Sequence, residues 1–79
     1  MKKLSKGQKD IFKLIGKRVK EERELKGWSV EELAQKTGIR KEYIQKIEKG
    51  IAYGLAWSKY VKLTMSFKIP LSELVSEKL

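Results

Sequence analysis

Cysteine and histidine are both absent from these 79 residues, proline occurs once, and no apolar run approaches the ~20 residues that span a bilayer. Without cysteine there is neither a disulfide framework nor a thiolate metal site to staple a small fold. Without histidine the usual zinc sites are excluded, as is any catalysis that needs an imidazole. A phosphate-cradling glycine loop and paired carboxylates on an inward face are missing as well. The chain therefore reads as a non-enzyme with no cofactor and no metal. No signal-peptide pattern follows the N-terminal lysines, so the expected location is cytoplasmic.

Acids are also in short supply: 10 Asp and Glu stand against 19 Lys and Arg, a formal charge of +9. Such a surplus repels itself in the compact state unless a polyanion balances it. Nucleic acid is the leading candidate, an anionic membrane the other, and a merely soluble basic surface the bland alternative. A membrane-surface role ranks low, because the apolar faces are committed to a core. At this length one domain is expected, with a core so small that nearly every large apolar residue belongs to it.

The stretch Trp28 to Gly50 organises the rest. Ser29 and Glu32 have the spacing of a capping box, in which hydroxyl and carboxylate each satisfy an orphan amide at a helix start, with Trp28 and Leu33 as a hydrophobic staple. Leu33, Ala34 and Thr37 form an inward stripe over a helix from Val30 to Thr37, and Gly38 supplies the positive φ that ends it. A second helix, about Arg40 to Glu48, has a narrow apolar seam of Ile44 and Ile47 and is closed by Gly50. Its other faces carry Arg40, Lys41, Glu42, Gln45, Lys46 and Lys49. Two short helices joined by three or four residues, the second polar and basic outward, are the arrangement that lays a helix in the DNA major groove.

The flanking segments are expected to support that pair. Residues 1–7 read as a mobile basic arm, with Lys2, Lys3 and Lys6 around a single Leu4; an ordinary frayed terminus is the alternative. Residues 8–79 form the domain. A first helix, about Gln8 to Lys26, presents Ile11, Phe12, Ile15, Val19 and Arg23 inward and ends at Gly27. An arginine on that stripe needs a carboxylate, and Glu48 is the candidate partner; a solvated surface pair is the alternative. The connection 51–56 is short, apolar and without a cation. A fourth helix, about Trp57 to Phe67, presents Trp57, Tyr60, Val61, Thr64 and Phe67 as a core face. Pro70 opens a short fifth helix to about Lys78, whose Leu71, Val75 or Leu79 would leave apolar surface for a modest dimer contact.

The motif positions Ala34, Gly38, Ile44 and Ile47, with the ending K-I-P-L-S-E-L, resemble the Cro and phage-repressor type helix-turn-helix family over roughly Ile15 to Leu74. The resemblance implies an all-α fold, a compact five-helix helix-turn-helix domain of the lambda-repressor-like type. It also implies double-stranded DNA as ligand, a homodimer, and repression as the usual outcome. Mapped onto this sequence, the base-reading residues would be Arg40, Lys41, Glu42, Gln45 and Lys46. Their chemistry fits: Arg40 or Lys41 can donate to guanine O6 and N7, Gln45 can bond adenine bidentately, and Glu42 can accept from cytosine N4. Arg40 occupies a cap position where Ser, Thr, Asp or Asn would be worth ~1 kcal/mol, which marks it as a functional position or else a tolerated poor cap.

Phosphate contacts are assigned to Lys49, to Ser29 and the Val30 amide at the second helix start, to Tyr53, and to Lys2, Lys3 and Lys6, with Lys46 able to serve there instead. The family commonly has a phosphate-clamping glutamine where this chain has Val30, and a basic loop where this chain has none; the lambda-repressor domain has a similarly uncharged loop and a lysine-bearing arm. A second class of function stays open: an antitoxin or adaptor whose main ligand is a small partner protein, with DNA binding used for autoregulation.

Overall fold

A computed structural model describes the backbone of residues 6–53 and 57–75, and the side chains of residues 10–53 and 57–74. Among the described residues the architecture is all-α. Five helices follow in order: α1 (Lys6–Leu25), α2 (Val30–Thr37), α3 (Lys41–Lys49), α4 (Trp57–Phe67) and α5 (Leu71–Val75).

The first helix starts earlier than its composition suggests. Lys6 and Gly7, assigned to the arm, belong to α1; Lys2 and Lys3 lie outside the described residues. The buried face of α1 is Ile15, Gly16 and Val19, continued by Arg23. Ile11, expected on that face, is 51% exposed. At 3.6 residues per turn it lies about 40° beyond Ile15 on the side away from Val19 and Gly16, past the edge of the buried stripe. Gly27 ends the helix with φ 71°, and the Trp28 amide donates to the Arg23 carbonyl at 3.1 Å, the Schellman closure that satisfies late-turn carbonyls.

Both ends of α2 are closed as the sequence suggests. The Glu32 amide donates to Ser29 Oγ at 3.0 Å, and the Ser29 amide donates to the Glu32 carboxylate at 3.0 Å. At the other end Gly38 adopts φ 72°, and its amide donates to the Ala34 carbonyl. Thr37 locks the following turn: its hydroxyl donates to the Leu33 carbonyl at 2.8 Å and accepts from the Ile39 amide at 3.2 Å. Ile39, in the turn itself, is thereby buried and becomes a core residue.

On α4 the apolar face is rotated from the expected one. Tyr60, Leu63, Thr64 and Phe67 are buried, at spacings of three and four. Trp57 is 62% exposed and Val61 half-buried, because both lie to one side of a stripe centred on Leu63 and Phe67. The helix ends at Lys68, a non-glycine residue with φ 59°. The last helix begins at Leu71, one residue after Pro70, and is described to Val75; the rest of its expected length, with Leu79, falls outside the described residues. Leu74 fills the core against α1 and α4.

The core that results is one cluster: Ile15, Val19, Leu33, Ile39, Ile44, Ile47, Ala52, Tyr60, Leu63, Phe67 and Leu74. Trp28 closes its edge, stacked on Phe67 with ring centroids 6.1 Å apart. No described helix is long and apolar enough to cross a membrane.

Candidate nucleic-acid interface

The third helix is amphipathic in a strict sense. Ile44 and Ile47 are buried, while Lys41, Glu42, Tyr43, Gln45, Lys46 and Lys49 are exposed. Branched side chains on one narrow face seat the helix on α1 and α2 and leave the remaining circumference to water.

Three features fix its position. At Gly16, in the middle of α1, a Cβ would collide with the Ile47 carbonyl oxygen and stand 2.9 Å from that of Glu48. Only glycine admits so close a crossing. At Gly50, which ends α3 with φ 77°, a Cβ would stand 2.8 Å from the Lys13 Cα. The two glycines thus bring the end of α3 onto the backbone of α1, a pairing for which Gly16 gave no signal in the sequence beyond its place inside a helical pattern.

The third feature is ionic. Arg23 Nε donates to Glu48 Oε2 at 2.7 Å and its second nitrogen to Glu48 Oε1 at 3.1 Å, while the remaining nitrogen donates to the Trp28 carbonyl at 2.8 Å. Arg23 and Glu48 are largely shielded, with side chains 12% and 10% exposed. The structure therefore brings these two together as a bidentate, partly buried pair that ties α1 to the end of α3 and the entry to α2. The carboxylate hydrogen bond raises the Arg23 pKa further, against the opposing effect of desolvation.

The candidate base-reading residues Arg40, Lys41, Glu42, Gln45 and Lys46 are all exposed. Arg40 is the N-cap of α3 and makes no side-chain capping bond, so its guanidinium is not spent on the helix. Glu42, Gln45, Lys46 and Lys49 face outward from the same helix; the Lys46 ammonium sits 5.8 Å from the centroid of the Tyr43 ring. Tyr43, absent from the sequence-based set, is 44% exposed beside them. Its only sequence signal is an aromatic placed off the apolar seam.

Lys41 stands apart from that group. Its ammonium meets the Glu31 carboxylate of α2 at 3.0 Å. Glu31 is in turn held below the usual carboxylate range, first by the Lys41 hydrogen bond, then by its own backbone amide and the positive charge of Lys41.

The candidate phosphate residues divide. Ser29 is exposed, but its hydroxyl accepts the Glu32 amide in the capping box, leaving its own proton as donor. Val30 is packed against the core as a side chain, so only its amide can face an anion. Lys49 is exposed. Tyr53 is 42% exposed, its ring edge-on to Phe12 with centroids 5.1 Å apart. Lys6 joins the first turn of α1.

The chain's similarities follow the same residues. Residues 19–53 match the family model described as helix-turn-helix. The curated relatives include the HTH-type transcriptional regulator SinR of Bacillus licheniformis and of Bacillus subtilis (strain 168), each 32% identical over 65 residues covering 82% of this chain. The chain spans 59% of the length of those relatives. Among solved structures, the restriction-modification controller protein C.AhdI of Aeromonas hydrophila is 30% identical, superposes with a TM-score of 0.73, and covers 80% of this chain and 94% of its own. A hypothetical transcription factor, NHTF, from Neisseria shares the fold at 24% identity, with a TM-score of 0.78 over 96% of this chain and 85% of its own. With the capped helix pair, the glycine turn and the seated third helix in place, the chain belongs to the Cro and phage-repressor type helix-turn-helix family.

Proposed function

We propose that this protein is a sequence-specific transcriptional regulator, a dimeric repressor that reads a palindromic operator in double-stranded DNA with α3. The observation that carries the reading is the outward face of α3, where Arg40, Glu42, Gln45, Lys46 and Lys49 are exposed together on a helix fixed from behind by Ile44, Ile47 and the Arg23–Glu48 pair. Donors and acceptors of this kind match major-groove edges, and the net charge supplies a sequence-independent attraction to phosphate. Relatives described as a transcriptional regulator and as a controller protein support the same reading.

Phosphate positioning falls to Lys49, the α2 start at Ser29 and Val30, Tyr53, and the lysines at positions 2, 3 and 6. Two-fold symmetry then requires half-sites with centres about 34 Å apart.

Selection of bound duplexes from random DNA, at stated salt, tests this. A symmetric site with that spacing is the expected result; recovery of unrelated sequences with no common site would remove the proposal. Substituting Arg40 or Gln45 is expected to change base preference, whereas Lys49→Ala weakens binding to all sequences and lowers the salt slope by about 0.9.

A further inference from the structure

We infer that the groove between α2 and α4 docks an acidic amphipathic helix of a partner protein. Lys36 and Thr37 of α2 and Lys62, Met65 and Ser66 of α4 line it, around a volume of about 280 Å³. That is less than an ordinary small-molecule cleft, and enough to receive side chains from a helix laid along it. Met65 leaves 72% of its surface exposed here, beside two lysines that have no salt-bridge partner among the described residues. The cations continue past the groove. The Lys36 ammonium lies 4.6 Å, and that of Lys26 5.9 Å, from the centroid of the Trp28 ring, which is itself stacked on Phe67 of α4. Lys26 and Lys36 therefore share Trp28, and Lys36 and Lys62 share the groove: three cations in succession, interleaved with Trp28 and Met65. No acid occurs in α4 to offset them.

Charge selects the occupant. A two-fold contact with a second copy would press this patch onto itself and oppose lysine to lysine. A duplex offers anions but no apolar counterpart along its backbone for Met65. An amphipathic helix with acids flanking leucines meets both needs: apolar anchors at spacings of three and four cover Met65, and carboxylates reach Lys26, Lys36 and Lys62. Position separates the groove from the third helix. Lys36 lies about 140° around α2 from Glu31, the residue that meets Lys41 of α3, so the groove opens on the side of α2 away from α3. A partner can be held there while α3 is engaged.

The probe is a labelled synthetic peptide of about 20 residues, long enough to form a helix on binding, with leucines at spacings of three and four and glutamates elsewhere. A permuted peptide of equal composition spreads the leucines around the helix. Anisotropy titration of the wild type is expected to show saturable binding of the first peptide, about tenfold tighter than of the second. Met65→Ser should weaken it about tenfold. Lys36→Gln with Lys62→Gln should weaken it about fivefold more than Lys17→Gln with Lys20→Gln, which removes the same charge from exposed positions of α1. All these side chains are exposed, so every variant should keep the wild-type far-ultraviolet spectrum. Absent binding, equal binding of the permuted peptide, or equal losses in the two lysine pairs would each overturn the inference, leaving only the attraction of a +9 chain for acid. Weaker self-association of Met65→Ser would assign the groove to a second copy, and a random duplex held less tightly by the groove pair than by the α1 pair would assign it to nucleic acid; either result overturns it too. None of these outcomes depends on whether α3 reads an operator, which selection of bound duplexes decides separately.

Discussion

Gly16 of α1 lies against the carbonyl oxygen of Ile47 at the end of α3, in a crossing that leaves no room for a methyl group. Two effects oppose each other at this position. Helix propensity favours alanine over glycine by about 1 kcal/mol, whereas overpacking a close backbone contact typically costs 1–3 kcal/mol, about 2 kcal/mol as a central value. The contact involves two rigid backbones, so sterics should win. Gly16→Ala is expected to lower the midpoint of urea unfolding; a raised midpoint would show that α1 and α3 separate freely.

Removing one partner of the Arg23–Glu48 pair should be more damaging. Arg23→Met leaves the Glu48 carboxylate without its bidentate donor and the Trp28 carbonyl without its side-chain hydrogen bond. The expected loss is about 3 kcal/mol, at the low end of the range because the pair retains some contact with water. Adding Glu48→Leu should restore most of it, since the uncompensated charge is gone. Chemical denaturation of the two single variants and the double variant measures the coupling directly, and additive losses would contradict a specific pair.

Arg40 should show a conflict between stability and binding. Its backbone caps α3 with extended geometry, but its side chain makes no capping bond. Arg40→Asp supplies that bond and is expected to stabilise the fold by about 1 kcal/mol, while replacing a cation with an anion at a residue proposed to contact DNA, so that DNA binding weakens. A calorimetric scan and a binding titration of the same variant check both signs. Unchanged DNA affinity would mean that Arg40 is merely a poor cap.

The Glu31–Lys41 contact has a defined pH window. The folded-state pKa of Glu31 is lowered, chiefly by the Lys41 hydrogen bond. A lowered carboxylate value contributes stability that is fully present above the unfolded pKa, about 4.3, and lost as pH falls through the lower folded value. Glu31 is therefore ionised, and able to pair with Lys41, at neutral pH. Following the Glu31 carboxyl carbon by NMR should give a titration midpoint below the ordinary range, shifted upward by Lys41→Gln; an unshifted midpoint in both proteins would show that the contact is not populated.

Much of this architecture was legible because several local signals agreed. Ser29 with Glu32, and Gly38 and Gly50 as terminators, placed α2 and α3 within about one residue, and Arg23 on an apolar stripe implied a carboxylate opposite it. The errors came where periodicity alone had to fix a helix's rotation. Ile11 and Trp57 fitted a three-and-four spacing, yet each lies at the edge of its stripe, and the weight of the core decides which way the helix rolls. Ile39 and Gly16 were missed for another reason: a turn residue becomes core, and a mid-helix glycine becomes a crossing point, only through a tertiary contact distant in sequence. At the candidate site, residue types predicted which side chains of α3 are exposed, but nothing local joined Lys41 to Glu31, because that contact depends on the angle between two helices.

The seating of α3 by Ile44, Ile47 and the backbone at Gly16 also bears on how such a protein can change over evolutionary time. Support and display are carried by different residues: exchanging Glu42, Gln45, Lys46 or Lys49 disturbs no buried contact, so each can vary without a folding penalty that a second substitution would have to repair. Under the proposed DNA-reading role, new operators would then be sampled one side chain at a time on an unchanged frame, and duplicated copies would drift apart in what they read while remaining interchangeable in how they fold.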